Sequence, residues 1–167
     1  MKAFIKCLTA NLISVMMIVG LSMSAANADS KTVDIKGGAS DKALQEFKQA
    51  IRKKYDLKER AFKENDVMGL VDGFYAKNAL LVEEKKVVNG YDQVVKMYEE
   101  LVPGAKSVGI QSNYTYLSKE GSVGYDYTTF HVNLVDGNEF DLKLLFIWEK
   151  INGEWFCISD MYIPGKF

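Results

Sequence analysis

The sequence predicts an α+β domain, helices first and sheet after. Three observations carry this: apolar residues at helical spacing as far as Leu101, a switch to alternation after residue 105, and turn residues that cut the second half into four strands. The chain starts with something else. Lys2 and Lys6 precede an apolar stretch from Leu8 to about Met23, followed by small residues at Ala26-Asn27-Ala28, the order of a secretory signal peptide. The strictly apolar part, Leu12 to Leu21, is shorter than the roughly twenty residues a bilayer span needs. The expectation is a signal peptide over 1–28, a polar leader over 29–39 containing Gly37-Gly38, and one domain over 40–167, exported to a periplasm or the exterior, with no membrane attachment after cleavage.

In the domain, Leu44, Phe47, Ile51, Tyr55 and Phe62 mark a long amphipathic helix capped by Ser40 and ending near Lys63. Asn65 or Asp66 opens a shorter helix with Val67, Leu70, Val71 and Phe74 as its stripe. A strand through Leu80-Leu81-Val82 follows, with Val87-Val88 as its hairpin mate. Val94, Met97, Tyr98 and Leu101 mark a third helix, stopped by Pro103-Gly104. Four strands complete the chain, Val108 to Ser118, Ser122 to Leu134, Glu139 to Lys150 and Glu154 to Ile163, with Asp136-Gly137-Asn138 and Asn152-Gly153 as hairpin signals.

Parity assigns faces. Phe140, Leu142, Leu144, Phe146 and Trp148 share one face of the third long strand. The last strand is apolar on both: Trp155, Cys157, Met161 and Ile163 on one side, and Phe156, Ile158 and Tyr162, with Asp160 among them, on the other. A sheet covered by helices on one side does not need two apolar faces, so a partner subunit is expected on the second, and a homodimer with it.

Charge and cysteine count exclude several classes. Without Lys2 and Lys6 the 21 basic residues fall to 19 against 22 acidic, a net charge of −3 with no basic block, which gives nucleic acid no electrostatic foothold. Cys157 is the one cysteine outside the signal segment, so no internal disulfide forms, and its apolar neighbours make it a buried small hydrophobe. There is no Gly-rich phosphate loop, no cysteine pair and a single histidine, so neither cofactor nor metal is expected.

Three stretches carry a resemblance: Phe62-Lys63-Glu64-Asn65-Asp66 at a helix junction, Phe74-Tyr75-Ala76-Lys77-Asn78-Ala79-Leu80-Leu81 with Gly90-Tyr91 after it, and Trp148-Glu149-Lys150-Ile151-Asn152-Gly153-Glu154-Trp155. With the element order they resemble the nuclear transport factor 2-like superfamily, in particular its SnoaL-like and ketosteroid-isomerase-like members. The resemblance implies a cone-shaped pocket between a curved sheet and three helices, dimerisation through the outer sheet face, and a small organic ligand. It implies either cofactor-free proton transfer (isomerisation, cyclisation or dehydration) or a non-catalytic binding or dimerising module. It implies one candidate residue, and the residues themselves add others. Glu83 falls where relatives keep a general base, although Glu83-Glu84-Lys85-Lys86 also reads as a solvated hairpin tip. Asp160 could be a buried acid or a hydrogen-bond acceptor for a tyrosine. His131 could pair with either carboxylate or sit on a surface. Tyr55, Phe62, Tyr75, Tyr98, Tyr125, Tyr127, Trp148 and Tyr162 are the expected aromatic lining. The two oxyanion donors of steroid isomerases do not transfer: Glu59 stands at the tyrosine's place, and Ile147 or Trp148 at the acid's.

Overall fold

The computed structural model describes residues 38–83 and 85–167. The expected signal peptide, residues 29–37 of the expected leader, and Glu84 lie outside the described residues.

Helix α1, Asp41–Glu64, starts where Ser40 accepts a hydrogen bond from the Ala43 amide at 3.3 Å, and it carries Asp41 in its first turn. It ends at Asn65, whose φ of 57° is the left-handed value asparagine tolerates, with the Asn65 amide returned to Ala61. Its inward stripe is Phe47, Ile51, Tyr55, Lys58, Ala61 and Phe62. Helix α2, Val67–Phe74, is capped by Asp66 through the Gly69 amide at 2.8 Å. It passes directly into strand β1, Tyr75–Val82, which pairs with the short β2, Val87–Asn89. Helix α3, Tyr91–Leu101, tightens into a 3₁₀ turn over Val102–Gly104 because Pro103 cannot continue it. Among the described residues no helix is long and apolar enough to cross a membrane.

Four long strands follow: β3, Ala105–Leu117; β4, Val123–Leu134; β5, Glu139–Ile151; and β6, Glu154–Pro164. The sheet is curved and open, in the order β2-β1-β6-β5-β4-β3. Among the described residues every pairing is antiparallel except β1 with β6, which lie parallel. The β5–β6 turn uses Asn152 and Gly153 at φ 52° and 89°, the double positive φ that a two-residue hairpin needs.

The inner face of the sheet packs on the helices. Phe47 lies across Gly124, where an added Cβ would sit 2.6 Å from the Phe47 ring and 2.8 Å from the Tyr116 carbonyl, and its ring centroid is 4.5 Å from that of Trp155. Tyr55, Phe74, Phe146 and Trp148 form the centre, all without measurable exposure and with centroids 5.0 to 6.3 Å apart. Each such side chain taken from water contributes about 2 kcal/mol. The β5 parity holds: Leu144, Phe146 and Trp148 are buried on that face.

The β6 parity does not hold past its middle. Ile147 pairs with Ser159 but Trp148 pairs with Cys157, so Ile158 is an extra residue without a partner on β5. This β-bulge flips every later side chain. Asp160 and Tyr162, expected opposite to Trp155 and Cys157, instead pair with the inward Phe146 and Leu144, while Met161 pairs with the outward Leu145.

Candidate functional site

A lysine breaks the apolar stripe of α1. Lys58 is 1% exposed, held by Tyr55 and Phe62 to either side of it on the same helix face. Its Nζ donates to Tyr75 Oη and to Tyr98 Oη, each at 2.7 Å. Tyr75 Oη in turn donates to Asp160 Oδ2 at 2.6 Å, so the 2.6 Å contact between the two phenols is donated by Tyr98. Rings enclose the ammonium: Phe74, Tyr75, Tyr98 and Phe146 have centroids 4.2 to 5.1 Å from Nζ, and Phe130 follows at 5.8 Å. The aromatic faces offset part of the cost of removing the charge from water.

Burial pushes both ends of this cluster toward their neutral forms. It lowers the Lys58 ammonium to about 8 despite the opposing pull of Asp160, and it raises the Asp160 carboxyl despite Lys58 and the Tyr75 hydrogen bond. Tyr75 and Tyr98 are pushed well up, first by burial and then by the Asp160 charge. Chemically, this is a closed proton path: Lys58 can pass a proton to Tyr75 while Tyr75 passes its own to Asp160, with no change in net charge.

A second buried carboxylate lies on β4. Asp126, with no exposure, accepts from Tyr55 Oη at 2.8 Å, Ser112 Oγ at 2.6 Å and Thr115 Oγ1 at 2.7 Å. The irregularity in β3 between Ser112 and Tyr114 brings Ser112 and Thr115 onto the same acceptor. Burial still raises this carboxyl, against its three donors. Nearby on the same face, Thr128 Oγ1 is buried without a hydrogen-bond partner.

No family model matches the chain, and no curated protein sequence does. Solved structures do. A putative calcium/calmodulin-dependent protein kinase II association domain from Xanthomonas campestris superposes with a TM-score of 0.60 at 17% identity, over 81% of this chain and 96% of that one. An NTF-2-like protein of unknown function from Shewanella oneidensis MR-1 gives 0.60 at 16%, over 69% and 97%. A type 2 hexachlorocyclohexane dehydrochlorinase, LinA, gives 0.59 at 15%, over 77% and 91%. The chain has the nuclear transport factor 2-like fold. At these identities the likeness concerns the fold alone.

Within the nuclear transport factor 2-like fold, the expected site residues divide into three groups. Tyr55, Phe62, Tyr75, Tyr98 and Trp148 lie inside the cone, each at most 5% exposed and packed ring against ring. Asp160 joins them through the bulge, and Tyr162 packs partly buried at the margin of the core.

Glu83 forms a second group by itself, directly after β1. Its side chain is 9% exposed and turned inward, with Lys86 Nζ at 3.4 Å. Burial raises its carboxyl, against the pull of Lys86 and with some help from the Asp160 charge.

The third group is on the other side of the sheet. Tyr125, Tyr127 and His131 alternate with the buried Asp126, Thr128 and Phe130, so they occupy the outer face and line no part of the cone. His131 therefore meets neither Glu83 nor Asp160. Its Nδ1 is 2.8 Å from Asp141 Oδ1 on the neighbouring strand. Tyr125 stacks on Tyr116 at 4.7 Å, and Tyr127 meets Phe167 edge-on. Sequence reasoning missed Lys58 and Asp126. Lys58 had a signal, since it lies one turn past Tyr55 on the apolar face.

Proposed function

We propose that this is an exported, self-associating module that works through the outer face of its sheet as a homodimer. One observation carries the reading: half of that face is aromatic and aliphatic in registered rows, Tyr114, Tyr127, Leu145 and Met161 in one, Tyr116, Tyr125 and Ile147 in the next. Met161 is 45% and Ile163 61% exposed, a continuous apolar strip of the kind that marks an interface. The other half carries both signs, with Lys143 two residues from Asp141 and His131 bound to Asp141. A second copy can therefore lie on it without like-charge conflict. The cone interior, packed by its own rings, points the same way, as does the likeness to an association domain. Export rests on the N-terminal pattern of the sequence. Native mass spectrometry of the mature protein tests the dimer, and Met161→Asp is expected to give a folded monomer. A monomeric wild-type protein would overturn it.

A second reading is favoured by the Lys58 cluster and the unpartnered Thr128 hydroxyl: proton transfer on a small organic ligand bound in the cone, of isomerase, cyclase or dehydratase type. One structural neighbour is an enzyme. Protein purified from its own host is expected to retain such a ligand in native spectra, and an empty cone would count against this reading.

A further inference from the structure

We propose that Lys58 is an imine-forming lysine for a small, uncharged carbonyl compound, becoming a free amine by passing its proton through Tyr75 to Asp160. The inference deepens the proton-transfer reading and rests on it in one respect, that a small molecule reaches the cluster. Four features of the geometry combine. Among the described residues Nζ has no carboxylate as a hydrogen-bond partner and donates to two phenol oxygens at 2.7 Å. Tyr75 bridges to the acid at 2.6 Å, so proton loss from nitrogen and proton gain by Asp160 are one concerted shift along two short bonds. The surrounding rings of Phe74, Phe130 and Phe146 exclude water and charged ligands, and this desolvation brings the neutral pair within reach of the ion pair. Tyr98, donating to Tyr75 and accepting from Lys58, holds the relay in register.

The chemistry balances within the cluster. The neutral Lys58 nitrogen attacks the carbonyl carbon, the carbonyl oxygen takes the proton parked on Asp160 by way of Tyr75, and the nitrogen returns one of its two protons to Asp160 by the same path, which leaves a neutral carbinolamine. Asp160 then gives that proton through Tyr75 to the hydroxyl, which leaves as water, and the nitrogen gives its second proton back to Asp160, so that a C=N bond replaces C=O and the relay ends as it began. The low ammonium value, about 8, agrees with a free-amine fraction at neutral pH that exposed lysines do not have.

The test uses the mature wild-type protein, propanal and sodium cyanoborohydride at pH 7, with peptide mapping of the reductively trapped adduct. Lys58 is expected to label about tenfold faster than Lys42, a lysine whose side chain is 87% exposed. Labelling of Lys42 with none at Lys58 would overturn the proposal. The relay has its own readouts. Tyr75→Phe is expected to slow trapping at Lys58 about tenfold while leaving Lys42 unchanged. Should that variant not fold, the wild-type pH profile decides: the Lys58 rate is expected to level off near pH 8. A Lys58 rate that still climbs well above pH 8 would overturn the relay. A ligand retained in native spectra without a Lys58 adduct would overturn the imine and leave the proton-transfer reading intact; no ligand and no adduct would remove both.

Discussion

Lys58 and Asp160 are joined through one oxygen, Tyr75 Oη, 2.7 Å from the ammonium and 2.6 Å from the carboxylate. Opposite charges in one desolvated cluster depend on each other, so removing either leaves the other unbalanced. Lys58→Met and Asp160→Asn are each expected to cost about 3 kcal/mol. The double variant is expected to fall short of their sum by about 1 kcal/mol. Urea unfolding of the four proteins checks this, and simple additivity would show that the two residues are not coupled.

The same burial makes stability depend on alkaline pH. Lys58 has a folded-state value near 8 against 10.5 unfolded, so between those values the unfolded chain binds more protons and stability rises with pH. Below pH 8 both states are protonated and the cost of the buried ammonium, about 3 kcal/mol, is fully present. The rise is expected from pH 8 to about 10, where unfolded tyrosines begin to ionise while buried Tyr75 and Tyr98 resist it and oppose the trend. Denaturant midpoints across that range should climb in the wild type relative to Lys58→Met, where the buried Cys157 thiol, pushed well up in the fold, makes stability fall with pH.

Gly124 is a position of contact, not of backbone freedom. A methyl group there would meet the Phe47 ring and the Tyr116 carbonyl at under 3 Å. Phe47 is itself wedged against Trp155 and cannot swing away. Gly124→Ala is expected to destabilise by about 2 kcal/mol through overpacking, visible as a lowered Tm; an unchanged Tm would mean the helix shifts at no cost.

His131 provides a probe of the outer face. The hydrogen bond to Asp141 holds its imidazolium above the ordinary value of 6.5. An NMR titration of this one histidine should show a raised midpoint that Asp141→Asn returns toward 6.5. A midpoint at the ordinary value in the wild type would mean that the Asp141 contact does not persist in solution.

Periodicity made the element order legible from sequence: α1 through α3 by apolar spacing, β3 through β6 by alternation and turn residues, all within a few residues of the observed bounds. The parallel pairing of β1 with β6 was not legible, because no local pattern encodes which distant strand a short one joins. The inside of the cone was read through its aromatics, and five of the eight expected rings lie there. Tyr125 and Tyr127 lie on the outer face instead, since tyrosine suits either face of a sheet and parity alone does not say which face meets the helices. Lys58 and Asp126 stayed hidden because a charge in sequence reads as solvent, and only the meeting of partners from distant segments lets it be buried.

The bulge at Ile158 makes the chemistry of the core a matter of chain length. Asp160 lies inside because one residue more than the ladder needs precedes it. Deleting a single residue between Cys157 and Asp160 would change no charge and little hydrophobicity, yet by strand parity it would turn the carboxylate outward and bring Met161 to the position beside Tyr75. Insertions and deletions in this strand thus act on the core as side-chain exchanges would, and a one-residue gap here in a related sequence would signal a different interior.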